Sequence, residues 1–123
     1  MDMKLELVAV PVSDVDRAKA FYVERVGFNA GHDHAVSDDV RFVQLTPPGS
    51  ACSITIGKGV TSAVPGSVEG LQLVVADADA ARDDLAGRGV EVSAVQEFPW
   101  GRFVFFADPV GSKWAVQQIP VRT

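Results

Sequence analysis

Apolar and polar positions along this chain follow two periods in turn, one typical of strands and one typical of helices. Residues 4–12 are rich in Val and Leu and predict a strand that ends at a polar segment. The next segment has apolar residues spaced as on one face of a helix: Val15, Ala18, Tyr22 and Val26. Ser13 or Asp14 is a suitable N-cap for this helix, and Gly27 supplies its end. The chain therefore begins with a strand followed by a helix.

The same plan returns in the second half of the chain. Residues 71–90 carry a second strand and helix, and several residues repeat there at an offset of 63: Asp77 after Asp14, Asp79 after Asp16, Ala81 after Ala18, and Arg88 after Arg25. A Pro-x-Gly-Ser turn recurs at an offset of 62: Pro47, Gly49 and Ser50 in the first half, and Pro109, Gly111 and Ser112 in the second. Agreement in helix start, helix face and turn indicates a duplicated unit.

Three short strands are predicted after each helix. They cover residues 28–36, 40–46 and 51–57 in the first half, and residues 90–96, 101–107 and 113–118 in the second. The sequence thus predicts an α+β fold in which two tandem βαβββ modules form curved mixed sheets around a cleft, with the helices outside. We expect a single domain over residues 1–123, with module one at 4–57, a Gly- and Ser-rich linker at 58–67 and module two at 68–119.

The composition narrows the possible partners and the compartment. The formal net charge is −5, so no basic surface for nucleic acid is expected. Cys52 is the only cysteine, which excludes an intrachain disulfide and favours a reducing compartment. The first residues do not resemble a secretory signal, and no apolar run is long enough for a membrane span. We therefore expect a cytoplasmic protein without a membrane or nucleic-acid partner.

Two segments of the chain resemble the hallmark segments of one superfamily. VPVSDVDRAKAFYVERVGF (residues 10–28) is similar to a strand that leads into a helix ending at Gly-Phe, and FFADPVGSKWAVQQ (residues 105–118) is similar to a DPxGNxW turn. The superfamily is that of the glyoxalases, bleomycin-resistance proteins and extradiol dioxygenases, also called vicinal oxygen chelate proteins. The resemblance implies paired βαβββ modules, usually assembled as a homodimer, and leaves the activity open because one fold hosts many chemistries.

The resemblance also implies four positions where enzymes of the superfamily hold a divalent metal. Counted from the Asp that opens each helix and from the turn, these positions are Leu7, Ser53, Gly70 and Ala115. Three of these side chains have no donor atom, and one neutral serine is a poor ligand for such cations. A register error of one residue would offer Glu6 or Glu69, and an error of two would offer Gln72. We therefore expect no metal and no other cofactor at these positions.

A second arrangement could bind metal. His32 and His34 point to the same face of a strand, and two imidazoles suit zinc, copper or nickel. The alternative interpretation is a polar strand edge without a metal, since no third ligand is evident. Either histidine could instead contact a ligand or act as a general base.

Strand alternation predicts the side chains that line the cleft. We expect ligand contacts from eight residues: Leu7, His34, Ser53, Gln72, Trp100, Phe103, Phe105 and Ala115. Gln72 bonds either a neighbouring backbone group or a polar group of a ligand. Trp100 is expected to face the cleft or a second subunit, whereas Phe98 is expected to pack locally. Trp114 and Cys52 fall on the helix side and are expected in the core, and Arg102 on the solvated surface.

Three functions remain open at this point. The first is a metal-free protein that binds a flat organic molecule, such as an antibiotic or another hydrophobic metabolite. The second is a lyase, isomerase or dioxygenase that binds a divalent metal through other positions or works without one. The third is a protein whose dimer surface matters more than its cleft. The sequence favours small-molecule binding, because apolar residues at the usual ligand positions make the cleft roomier and more apolar.

Overall fold

Each half of the chain begins its helix at an aspartate. In the computed structural model, which describes residues 1–120, Asp14 Oδ1 accepts a hydrogen bond from the backbone N–H of Arg17 at 3.1 Å. Asp77 Oδ1 accepts the corresponding bond from Ala80 at 3.1 Å. Asp14 rather than Ser13 is therefore the N-cap, and the offset of 63 predicted from the sequence joins two equivalent caps.

The elements follow the same order in both halves. The first half contains β1 (Leu7–Ala9), α1 (Val15–Ala20) with a π-helical continuation (Phe21–Val26), β2 (Asn29–Ala35), β3 (Arg41–Thr46) and β4 (Ser53–Lys58). The second half contains β5 (Leu71–Val75), α2 (Ala78–Gly87), β6 (Gln96–Phe98), β7 (Gly101–Ala107) and β8 (Lys113–Gln118). Within residues 1–120, neither helix has the length and apolar character needed to cross a bilayer.

The strands form two four-stranded sheets of the same topology. The strand orders are β1-β4-β3-β2 and β5-β8-β7-β6. The pairs β1/β4 and β5/β8 are parallel, and the other pairs are antiparallel. This confirms the predicted α+β class with two tandem βαβββ modules. The exact limits of the modules, the linker and the single domain stay predictions.

Two strands are shorter or later than the sequence predicts. The strand expected over 4–12 is β1, which spans Leu7–Ala9, because β4 is its one neighbour and begins at Ser53. The strand expected over 90–96 is β6, which spans Gln96–Phe98. Before it, Ser93 Oγ accepts the backbone N–H of Phe105 at 3.0 Å, so a side chain takes the place of the carbonyl that a regular strand would offer.

One arginine in each module ties the helix to the edge strand. Arg41 of β3 and Arg102 of β7 each bond two acids, one at the helix start and one on the edge strand: Asp16 and Asp33 in the first module, and Asp79 and Glu97 in the second. Arg41, together with Lys19, holds the pKa of the Asp33 carboxyl well below its ordinary value. Arg102 is therefore part of an ion-pair network, which extends the repeat to the level of side chains.

The core joins the two modules through three buried polar side chains. Tyr22 donates a hydrogen bond to Asp108 Oδ2 at 2.8 Å, and Trp114 Nε1 donates to Tyr22 Oη at 3.0 Å. The other oxygen of Asp108 accepts the backbone N–H groups of Val110 and Ser112. The helix of the first module is thus bonded to the last turn and last strand of the second. Trp114 lies in the core, as the sequence predicts.

Unfolding at alkaline pH should be coupled to the ionisation of Tyr22, the one tyrosine in the chain. Burial, reinforced by the Asp108 carboxylate, raises the pKa of Tyr22 far above its ordinary value. Above about pH 10 the unfolded chain loses this proton while the folded chain keeps it, so stability falls by up to about 1.4 kcal/mol per pH unit. We expect tyrosinate absorbance to rise only as circular dichroism records unfolding, and Tyr22→Phe to flatten this part of the pH profile. Tyrosinate in a still-folded protein would contradict the buried network.

Candidate functional site

Each sheet packs one face against the helices and leaves the other free of them. Ile54, Ile56, Trp114 and Val116 belong to the core. Because successive side chains of a strand point to opposite faces, Ser53 and Thr55 of β4 and Ala115 and Gln117 of β8 lie on the second face. We call this second face the open face of each sheet.

The eight predicted ligand-contact residues lie on or beside the two open faces. On the first sheet Leu7 pairs with Ser53, and His34 of the edge strand pairs with Phe42. On the second sheet one row across three strands contains Gln72, Ala115 and Phe105, and the next row contains Phe103 paired with Gln117. Trp100 lies in the turn between β6 and β7.

A groove between the two sheets brings part of this set together. It has a volume of about 370 Å³ and lies where β4 and β5 begin, so that Ser53 of one module and Gln72 of the other line the same space. Leu5 also lines it and is 69% exposed. His34 lies on β2, the strand farthest from β1 in its sheet, and its ring contacts Phe42 with 5.4 Å between centroids.

Four aromatic side chains form a continuous row along the second open face: Phe98, Trp100, Phe103 and Phe105. Trp100 stacks on Phe98 with ring centroids 5.3 Å apart and planes inclined by 12°. Phe98 meets Phe103 edge to face at 5.6 Å, and Phe103 stacks on Phe105 at 5.9 Å. Phe103 is buried, whereas Trp100 is 61% exposed. We call these four residues the aromatic row. Phe98, expected to pack locally, belongs to it.

Hydrogen-bonding side chains occupy the corresponding region of the first open face. Ser53 Oγ lies 2.7 Å from Thr46 Oγ1 and accepts a hydrogen bond from Gln44 Nε2 at 3.2 Å. His32 pairs with Gln44 and therefore shares this face. Sequence reasoning missed Gln44 and Thr46, although the alternation within RFVQLT is the signal that places both beside Ser53.

The second open face carries a chain of hydrogen bonds that links its centre to the aromatic row. Gln72 Nε2 donates to Gln117 Oε1, and Gln117 Nε2 donates to the backbone carbonyl of Trp100 at 2.9 Å. Gln72 therefore bonds another side chain, not the backbone group that was one of its two expected partners. Gln117 was not among the predicted ligand-contact residues.

The register corrects one of the four positions at which the superfamily resemblance implies a metal. Leu7 pairs with Ser53, and in the second module the partner of Ala115 is Gln72, not Gly70. The equivalent set is therefore Leu7, Ser53, Gln72 and Ala115. Leu7 and Ala115 have no donor atom, the Ser53 hydroxyl is bonded to two neighbours, and the Gln72 amide nitrogen is bonded to Gln117. These residues do not fit a divalent metal.

The two histidines of β2 also lack further ligands among the described residues. His32 and His34 stack with ring centroids 5.8 Å apart, on the same face of the sheet. Asp33 lies on the opposite face, where it bonds Lys19 and Arg41. Over residues 1–120, no three side chains of His, Cys, Asp or Glu come together as a group that could hold a metal ion.

Comparisons with known proteins agree with this architecture. The family model described as Glyoxalase/Bleomycin resistance protein/Dioxygenase superfamily matches residues 4–116. The crystal structure of TnmS3, an antibiotic binding protein from Streptomyces sp. CB03234, is 37% identical in sequence and has a TM-score of 0.88, covering 97% of this chain and 98% of that one.

Two further relatives extend the comparison. A glyoxalase/bleomycin resistance protein from the same Streptomyces strain is 38% identical, with a TM-score of 0.82 over 94% of this chain and 100% of that one. The uncharacterized protein YetH of Bacillus subtilis (strain 168) is 25% identical over 96% of this chain and 100% of its own length. The match of the family model over most of the chain shows that this protein belongs to the Glyoxalase/Bleomycin resistance protein/Dioxygenase superfamily.

Proposed function

We propose that this protein binds a small planar molecule, hydrophobic or aromatic in character, such as an antibiotic, without the help of a metal. The observation that carries the proposal is the aromatic row. Three of its rings are more than a third exposed, which is unusual for apolar side chains of this size unless a ligand or partner covers them. A planar guest can stack on these rings while Gln72 bonds its polar edge.

The likeness to TnmS3 supports the same proposal. That protein is described as antibiotic binding, and its sequence identity of 37% extends over nearly the whole of both chains. The side chains at Leu7, Ser53, Gln72 and Ala115 offer few atoms that could ligate a metal. This is consistent with binding in which shape and stacking, not a metal ion, hold the guest.

We also propose that the protein is a cytoplasmic homodimer. Large apolar side chains on or beside the open faces stay exposed in one copy of the chain: Leu5, Leu7, Val74, Phe98, Trp100 and Phe105. A second copy that covers part of this surface would remove it from water. Sedimentation at micromolar concentration should then give about twice the chain mass of 13.1 kDa, and a mass of one chain would contradict the dimer.

A thermal-shift screen tests the binding function. The purified protein is heated with planar aromatic compounds of two to four rings and, separately, with zinc, nickel, manganese and iron salts. An aromatic ligand at 100 times its Kd should add about 2.7 kcal/mol to the stability of the folded state, and the metals should add nothing. Stabilisation by a metal alone, or stoichiometric metal in the protein as purified, would instead favour a metal-dependent lyase, isomerase or dioxygenase.

A further inference from the structure

Gln117 lies at the centre of the second open face and uses both ends of its side-chain amide. It pairs with Val74 on one side and Phe103 on the other, so it lies one row from the triplet of Gln72, Ala115 and Phe105. Its Oε1 accepts a hydrogen bond from Gln72, and its Nε2 donates to the carbonyl of Trp100 at 2.9 Å. One side chain thus connects the groove between the sheets to the turn that carries Trp100, the most exposed ring of the aromatic row.

The direction of this hydrogen-bond chain is set at the Trp100 end. A backbone carbonyl only accepts, so Gln117 must turn its NH₂ group toward Trp100 and its oxygen toward Gln72. Gln72 must in turn direct its NH₂ group at Gln117. Its Oε1 is then the amide atom left for other contacts, and no described residue donates to it. The exposed amide of Gln72 consequently offers an acceptor to the open face.

The backbone of the turn is shaped to allow the contact. Gly101 has a φ of 150°, and a Cβ built there would lie 2.7 Å from the carbonyl oxygen of Gln118 and 3.1 Å from Nε2 of Gln117. Any side chain at this position would push the turn away from β8. The glycine therefore permits the close approach at which Gln117 bonds the carbonyl of Trp100, whose ring stacks on Phe98.

We propose that Gln117 positions both Trp100 and the Gln72 amide, and that the site thereby reads a hydrogen-bond donor, such as a hydroxyl group, on its aromatic ligand. This inference rests on the proposed function. It deepens that function by assigning the polar edge of the guest: an O–H or N–H group on the ring system is bonded by Gln72 Oε1 while the rings stack on the aromatic row. Gln117 itself need not touch the guest.

Two probes of nearly equal shape test the inference: 2-naphthol, which carries a hydroxyl donor, and 2-methoxynaphthalene, in which a methyl group blocks it. The wild-type protein should bind 2-naphthol about fivefold more tightly, the value of one ordinary hydrogen bond. In Gln117→Leu this preference should fall to about one. The indole N–H resonance of Trp100 should move, while that of Trp114, bonded to Tyr22 in the core, should stay.

Two further variants separate positioning from general stability. Gln118→Leu is the matched control, because Gln118 is the next residue on β8 and bonds the backbone of Ala78 on the helix side; it should keep both the preference and the Trp100 resonance. Gln72→Leu, at an exposed position, should lose the preference but keep the Trp100 resonance, and it remains informative if Gln117→Leu does not fold.

The outcomes distinguish the two proposals. Equal binding of both probes by the wild-type protein would overturn the donor-reading role and leave aromatic binding intact. An unchanged preference and an unchanged Trp100 resonance in Gln117→Leu would overturn the positioning role. If neither probe binds the wild-type protein, the proposed binding function itself is contradicted.

Discussion

Asp108→Ala is expected to lower the free energy of unfolding by about 3–5 kcal/mol, because three donors, two of them in buried bonds, lose their acceptor at once. These donors are the Tyr22 hydroxyl and the backbone N–H groups of Val110 and Ser112. Asp108 is 5% exposed, so water cannot easily replace the carboxylate without opening the turn. Chemical denaturation monitored by circular dichroism gives the change directly.

Asp77→Ala is the matched control for this prediction. Asp77 also accepts a backbone N–H, but at the exposed start of α2, so its removal should cost about 1 kcal/mol, as is usual for a helix N-cap. If Asp108→Ala costs no more than Asp77→Ala, the bonds that Asp108 makes to Tyr22 and within the β7–β8 turn do not contribute as described.

Trp100→Ala is expected to weaken the binding of 2-naphthol at least about tenfold, because an exposed ring that stacks on a guest contributes both buried area and ring contact. The folded state should lose little stability, since Trp100 is 61% exposed and its removal opens no cavity in the core. Calorimetric titration of the variant gives the ratio of dissociation constants.

Val64→Ala is the matched control, because it shortens an apolar side chain of similar exposure at a position outside the aromatic row. Val64 is 70% exposed and lies between β4 and β5. It should leave the dissociation constant of 2-naphthol unchanged. Equal losses in the two variants would mean that the probe responds to general surface hydrophobicity instead of the row.

The faces of the strands could be predicted from the sequence because side-chain alternation has a period of two. Pro, Gly and Ser residues mark the turn before β8, and β7 and β8 match residues 101–107 and 113–118. Once these strands are paired, Phe103 and Phe105 must share a face with Ala115, and Phe106 and Val104 must share the core with Trp114. The places of Phe103 and Phe105 in the aromatic row follow from this alternation, and that of Phe98 follows once β6 is known to reach it. The place of Trp100 depends on the conformation of the β6–β7 turn in which it lies.

Pairing partners could not be counted from the sequence where the two copies differ in length. Leu7 precedes Asp14 by seven residues, and the same count back from Asp77 leads to Gly70. The hydrogen-bonded register leads instead to Gln72, which precedes Asp77 by five residues. A similar ambiguity shifts β6, because Ser93 bonds Phe105 through its side chain and delays the regular ladder. Such local substitutions of side chain for backbone leave no mark in the hydrophobic pattern.

Contacts between residues far apart in the chain also could not be predicted from the hydrophobic pattern. Tyr22 and Trp114 both lie in the hallmark segments and were expected in the interior, but the bonds of the Tyr22 hydroxyl to Asp108 and to Trp114 join parts of the chain that are 86 and 92 residues apart. The role of Gln117 is hidden for the same reason, since its partners Gln72 and Trp100 come from two other segments of the second module.

Amide chemical-shift mapping of the isotope-labelled protein with 2-naphthol tests most directly whether the open face is the binding surface. We expect shifts that saturate and centre on β7 and β8, at Phe103, Phe105 and Ala115, with the indole of Trp100 among the largest. The structure offers a rival apolar groove of about 440 Å³ beside α2, lined by Leu85 and Pro47 among others. Shifts confined to that groove, or no saturable shift at all, would contradict the assignment of the open face as the binding site.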